Sequence, residues 1–130
     1  MSISYRLFSR AGLIIAWLLL VVLPLPIREV MPPDESRFAH QAQSMKSSGE
    51  WVVPYIGDDK NVDKPPVLFW SVVIASLPFD RVLDTTSRVP SAIGSLVVLL
   101  LTARLGRRLW GSDAIGYGGA LIALTGVEFF

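Results

Sequence analysis

Thirteen consecutive residues, Leu13 to Leu25, carry no polar side chain, and no other feature limits the possible folds as strongly. An amphipathic helix or strand of a soluble core breaks its apolar positions with polar ones at a period of 3.6 or 2. This run does neither. Three further apolar blocks follow at 67–79, 89–103 and 114–130, the last interrupted by Glu128. A helix rises about 1.5 Å per residue and the hydrocarbon core of a bilayer is roughly 30 Å thick, so a crossing takes about 20 residues and at least ~17. Residues 11–27 meet that length, more fully if Phe8 joins them. Residues 67–79 would reach only about 20 Å. Residues 89–103 are short as well, but Arg88 and Arg104 bracket them, and long basic stems can reach outward to headgroups. The expected fold is therefore all-α and integral to a membrane, with transmembrane helices at about 8–27, 88–105 and 113–130.

Basic residues indicate the orientation. Arg6 and Arg10 precede the first block with no acidic neighbour, and Arg104, Arg107 and Arg108 follow the third. Such clusters favour the cytoplasm, so an even number of crossings separates them. Spans at 11–27 and 89–103 satisfy that condition if 67–79 does not cross. Residues 28–88 then form one large loop on the far side of the plasma (inner) membrane, with the N-terminus cytoplasmic. A cleaved signal peptide would share the basic start and apolar centre. Leu23-Pro-Leu-Pro-Ile27 fills the place of its small-residue cleavage site, so an uncleaved span is expected, ended by Pro24 and Pro26. The chain stops inside the apolar segment Ala120–Phe130. Residues 1–130 are read as the N-terminal part of a multi-pass domain whose remainder is missing.

Composition removes several alternatives. With no cysteine there is no disulfide scaffold, thiolate metal site or cysteine nucleophile. The single histidine, His40, excludes a site built on two imidazoles. A net charge of +1 gives no reason to expect a nucleic-acid partner. That near-balance is uneven along the chain. The loop 28–88 carries seven basic and nine acidic residues, all but two of the carboxylates. Charged side chains avoid lipid, which explains their exclusion from the apolar blocks but not their order within the loop.

Pro32-Pro33-Asp34-Glu35 reads as a helix start, because prolines end what precedes and carboxylates suit the positive end of a helix dipole. Phe38, Ala42 and Met45 then recur at helical spacing and Gly49 supplies a stop. Asp34 falls on the side of Phe38, while Arg37, His40 and Ser44 fall on the polar side, so an amphipathic helix on the membrane surface is expected. Glu50-Trp-Val-Val-Pro-Tyr55 is extended, with a turn at Gly57-Asp58-Asp59. Asp59-x-Asn61-x-Asp63 imitates a calcium-binding loop, but Lys64 stands where glycine is needed and Trp70 where glutamate is needed. Lys64-Pro65-Pro66 next holds an ammonium in extended chain ahead of an interfacial helix at 67–79. That cation is either a partner for a lipid phosphate or an anchor for the helix end. Gly12-x-x-x-Ala16, Gly116-x-x-x-Ala120 and Gly119-x-x-x-Ala123 are small-residue pairs that let membrane helices approach closely. Gly116-Tyr-Gly118-Gly119 is no nucleotide fingerprint, since Leu121 fills the place of the third glycine.

Taken in order, Asp34-Glu-Ser-Arg-Phe38, Ser48-Gly-Glu-Trp-Val-Val-Pro54, Asp63-Lys-Pro-Pro-Val-Leu-Phe-Trp70, Ser87-Arg-Val-Pro-Ser-Ala92 and Leu105-Gly-Arg-Arg-Leu-Trp-Gly111 form a recognisable series. It resembles the N-terminal region of C-type membrane glycosyltransferases that take a sugar from a polyprenyl phosphate. That superfamily includes the protein O-mannosyltransferases and the bacterial lipid A aminoarabinose transferases, the latter branch being more similar. The resemblance implies many transmembrane helices and a first outer loop bearing catalytic residues. It implies that the acidic pair, Asp34 and Glu35, is catalytic and that Lys64 contacts the donor phosphate. Two departures stand out: Phe38 where the motif often has tyrosine, and Asp63 where glutamate commonly precedes the lysine.

The chemistry is compatible with these residues. A polyprenyl phosphate is an adequate leaving group, so the reaction needs a carboxylate to take the acceptor hydroxyl's proton and a cation to steady the departing phosphate. Direct displacement with one base inverts the anomeric centre. Asp34 is the candidate base, Glu35 its support or a contact for a divalent cation, and Lys64 the phosphate clamp. The partners expected are a polyprenyl-phosphate sugar, a lipid or protein acceptor and the membrane. The alternative is a non-catalytic membrane scaffold or donor-binding module. These 130 residues alone are expected to be inactive.

Overall fold

A computed structural model describes residues 3–27, 34–53, 55, 56, 59, 60 and 64–126, with the backbone alone for residues 3–9, 34, 35, 56 and 59. The helices are α1 (Ile3–Trp17), continued by a π-helical turn Leu18–Val22, then α2 (Asp34–Ser48), α3 (Val67–Ala75), α4 (Asp84–Trp110) and α5 (Asp113–Leu124). An antiparallel ribbon of two short strands, β1 (Tyr55–Ile56) and β2 (Asp59–Lys60), is the sole β-structure among the described residues, with Tyr55 opposite Lys60 and Ile56 opposite Asp59. The fold is otherwise helical, as expected. The contacts divide the chain into two compact units, Met1–Leu25 with Ala92–Phe130, and Pro26–Ser91.

In the first unit, the first helix stops earlier than its apolar block. The amide of Leu23 still donates to Leu18 O at 2.9 Å and that of Leu25 to Val22 O at 3.2 Å. Pro24 has no N–H to continue the ladder, so the helix gives way to a turn at residues 24–27. The core consists of Leu13 and Trp17 of α1, Ala92, Leu99 and Ala103 of α4, and Ala120 and Leu124 of α5. The Trp17 indole N–H donates to Ser95 Oγ at 2.9 Å, and Arg10 Nε donates to the Tyr117 hydroxyl at 3.0 Å. Of the three small-residue pairs, Gly116-x-x-x-Ala120 makes the close approach. A Cβ on Gly106 would sit 2.8 Å from Gly116 Cα, and one on Gly116 would strike the Ala103 carbonyl. Gly12 and Gly119 meet nothing within 4 Å. Asp113, buried at the start of α5, pairs with Arg107 across 3.6 Å.

α4 differs most from expectation. It is a helix of 27 residues, about 40 Å long, and among the described residues it is the one helix long and apolar enough to cross a bilayer. Its length comes from helical residues on both sides of the apolar block, with no need for outward-reaching arginines. Arg104 is exposed, but Arg88 is buried and engaged by other groups. Ile93, Val97, Val98 and Leu101 are at least half exposed on a helix whose opposite face is also apolar. Such all-round apolarity suits lipid better than water. The apolar stretch Arg10–Val22 and α5 are shorter, and residues 127–130 of the expected third span lie outside the described residues.

In the second unit, α2 begins at Asp34 and ends at Ser48, where Gly49 takes the left-handed conformation (φ 72°) that a helix stop favours. Ala42 and Met45 are buried and Arg37 and His40 exposed. The apolar side of α2 covers α3, meeting Phe69, Val72 and Val73. α3 has nine residues, about 13 Å and under half the hydrocarbon thickness. Its opposite edge leaves Val67, Trp70 and Ile74 exposed, and Leu77 is exposed just past its end. Ser76 Oγ, 2.7 Å from Val72 O and 2.9 Å from Thr86 Oγ1, ties the end of α3 to α4. Thr86 Oγ1 also accepts the Leu83 amide at 2.9 Å just before α4 starts, one half of a capping box.

Candidate active site

The direction of α2 against α3 determines what the second unit can assemble. Near their amino ends, the Phe38 and Phe69 rings lie 6.2 Å apart, tilted by 59°. At their carboxyl ends, Lys46 Nζ donates to Ser76 O at 2.7 Å and to Phe79 O. The helices therefore run parallel, and both begin at the same end of the pair. Asp34, the first residue of α2, is one turn before Phe38, and Lys64 is five residues before Phe69. The twenty-nine residues between them are thus folded back so that the chain at Asp34 and the chain at Lys64 return to one end.

That end combines two sources of positive charge with the acidic positions Asp34 and Glu35 at the start of α2. Each helix leaves its first amides without intrahelical acceptors and carries the positive end of its dipole there. α3 has no acidic residue in its first turn and is preceded by Lys64, exposed, and two prolines. The chain bends at Lys64, and by Pro66 it already has helical backbone angles (φ −69°, ψ −11°). The first turn of α3 is fixed by the Trp70 amide donating to Pro66 O at 2.9 Å, and by the Trp70 indole N–H donating to Trp51 O at 2.6 Å.

Asp34 and Glu35 are adjacent positions, about 100° apart around α2. Neighbours on a helix do not face each other, so this register does not fit a cation chelated by these two alone. Among the described residues no cluster of three His, Asp or Glu groups could hold a metal ion. The side chains of Asp34 and Glu35, and residues Pro32, Pro33, Pro54, Gly57, Asp58, Asn61 and Asp63, lie outside the described residues. Asp59 is in β2 and not in a turn. The ring of Phe38, where the motif often has tyrosine, is occupied in the contact with Phe69. Sequence reasoning missed Lys46, which closes the far end of the pair. Its signal was a basic residue in the last turn of a helix.

No family model matches the sequence. The chain is 33% identical over 114 residues to undecaprenyl phosphate-alpha-4-amino-4-deoxy-L-arabinose arabinosyl transferase 1 of Pseudomonas fluorescens (strain Pf0-1), covering 88% of this chain and 20% of that protein. It is 32% identical over 120 residues to transferase 2 of the same name from Proteus mirabilis (strain HI4320), covering 90% and 22%. It therefore spans about a fifth of the length of the curated relatives it matches. In fold it is similar to the crystal structure of ArnT from Cupriavidus metallidurans bound to undecaprenyl phosphate, with TM-score 0.66, 24% identity, and coverage of 83% of this chain and 19% of that one.

Proposed function

This chain is a homologue of the polyprenyl-phosphate-sugar-dependent membrane glycosyltransferases of the aminoarabinose-transferase kind, and we propose that it supplies the donor-phosphate end of such an enzyme's active site. The reaction is transfer of a sugar, a pentose by analogy with the relatives' names, from polyprenyl phosphate to a lipid hydroxyl outside the cytoplasm. Asp34 takes the proton of the acceptor hydroxyl as its oxygen bonds to the anomeric carbon. The bond from that carbon to the phosphate oxygen breaks, and the configuration inverts. Lys64 and the amino ends of α2 and α3 hold the departing phosphate. Glu35, next in the chain, supports Asp34 through its charge and not by direct contact. The observation that carries this reading is the parallel pairing of α2 and α3, which returns Asp34 and Lys64 to one end.

The proposed topology has spans at about 8–27, 88–105 and 113–130, with residues 28–88 outside and the N-terminus cytoplasmic. These residues form the N-terminal part of a multi-pass domain in the inner membrane. The length of α4, the shortness of α3 and the compactness of Pro26–Ser91 support it. The chain has no cysteine, so Ser48→Cys creates a single thiol. An impermeant reagent should label it from the outer side, and labelling only from the cytoplasm overturns this orientation.

The function is tested with a labelled polyprenyl-phosphate sugar. In the complete multi-pass enzyme, Asp34→Asn should abolish turnover while donor binding persists; unchanged turnover removes Asp34 from the mechanism. Lys64→Ala should weaken donor binding with the fold intact, and unchanged affinity removes the clamp. The alternative reading is a donor-binding module without catalysis. Donor binding that depends on Lys64 but no turnover under any acceptor would select it.

A further inference from the structure

Arg107 and Arg108 are neighbours in sequence with different surroundings. Arg107 is turned to α5, where its Nη1 lies 3.6 Å from the buried Asp113 carboxylate. Arg104 and Arg108 are one turn apart on another side of α4, both exposed, and neither meets a carboxylate among the described residues. With Val98, Leu101, Thr102 and Leu105 they line a groove of about 470 Å³. Leu101 and Leu105 are each 57% exposed. The Thr102 hydroxyl donates to Val98 O at 2.9 Å, so its hydrogen is already used. The groove thus presents two guanidinium groups above an aliphatic track that offers no acidic group.

A guanidinium fork matches phosphate oxygens in pairs, and an aliphatic track matches an acyl chain. An acidic peptide would set unsatisfied backbone against Leu101 and Leu105, which is costly in a bilayer. Free phosphate would leave the track uncovered. We propose that Arg104 and Arg108 bind the headgroup phosphate of an anionic membrane phospholipid whose acyl chain lies along Val98, Leu101 and Leu105. The site shares no residue with Asp34 and Lys64, and it rests on α4 crossing the membrane.

The protein is reconstituted into nanodiscs of phosphatidylcholine, alone or mixed with phosphatidylglycerol, and the lipids it retains on release are counted by native mass spectrometry. Preferential retention of phosphatidylglycerol is expected. Arg104→Gln with Arg108→Gln should reduce that preference roughly 25-fold, taking about a factor of five per cation near an anionic surface. The double lysine variant should keep part of it. An unchanged preference in the glutamine variant, or equal retention of both lipids by the natural chain, overturns the proposal. If the glutamine pair does not incorporate, salt decides: retention by the natural chain should fall as ionic strength rises, and salt-insensitive retention overturns the site. A photo-crosslinking p-benzoylphenylalanine at position 105 should gain the mass of one phospholipid, and a crosslink to protein overturns the lipid as occupant. A chain recovered without any lipid in all mixtures would instead remove α4 as a span, and the site with it, while leaving Asp34 and Lys64 to their own assays.

Discussion

The ring of Phe38 lies 6.2 Å from that of Phe69, and the two helices carrying them point the same way. Phe69 is fully buried, whereas Phe38 is half-buried. Phe69→Ala should cost about 3–5 kcal/mol, in the range of large-to-small changes in a packed core. Phe38→Ala should cost less, because part of its ring already meets the surroundings. Equilibrium unfolding in mild detergent checks the order, and equal costs would count against the packing described.

Lys46 caps the far end of the same pair through Ser76 O and Phe79 O. Lys46→Met keeps the aliphatic stem and removes the donors. The expected loss is about 1.5–3 kcal/mol, the scale of hydrogen bonds to charged groups. Amide hydrogen exchange should show faster opening of residues 72–79 than in the natural chain, with residues 92–124 unaffected.

Gly116 and Gly118 offer a paired test of the α4–α5 crossing. A methyl group on Gly116 meets the Ala103 carbonyl, whereas one on Gly118 meets nothing within 4 Å. Gly116→Ala should destabilise by about 1–3 kcal/mol, as overpacking does. Gly118→Ala should be neutral or stabilising by up to ~1 kcal/mol from helix propensity. Unfolding titrations of both variants side by side give the comparison, and similar behaviour would contradict the close approach.

Trp17 and Ser95 join α1 to α4 by one hydrogen bond of 2.9 Å. Interhelical bonds of this kind in membranes are worth about 0.6 kcal/mol on average and up to ~1.7. A double-mutant cycle with Trp17→Phe and Ser95→Ala should return a coupling in that range. A coupling of zero would show that the bond does not help to hold these helices together.

Much of the helical layout is legible in the amino-acid sequence. Gly49 marks the end of α2 because a left-handed residue there suits glycine, and Phe38, Ala42 and Met45 trace its covered side because helical spacing places them together. The ends of α4 are not legible. Hydropathy registers the apolar block, while Asp84 to Arg88 and Arg107 to Trp110 are helical through hydrogen bonding that hydropathy does not register. Arg88 reads as an outward anchor because a charge beside an apolar run resembles one, and only packing reveals that it is enclosed. For the candidate site, Asp34, Glu35 and Lys64 are recognisable by type and order. Their common end is not, since nothing local to either motif encodes whether α2 and α3 run parallel or antiparallel.

Parallel pairing couples binding to stability. Helices laid side by side in the same direction place like ends of their dipoles together, and those ends repel. An anion held at the shared amino end offsets that repulsion in the folded chain and has no equivalent in the unfolded one, so its binding free energy adds to stability by mass action. A non-reactive polyprenyl phosphate should therefore raise the unfolding temperature in proportion to the logarithm of its concentration. The arrangement that returns the chain at Asp34 and at Lys64 to one end would thus leave that end less stable empty than with an anion bound.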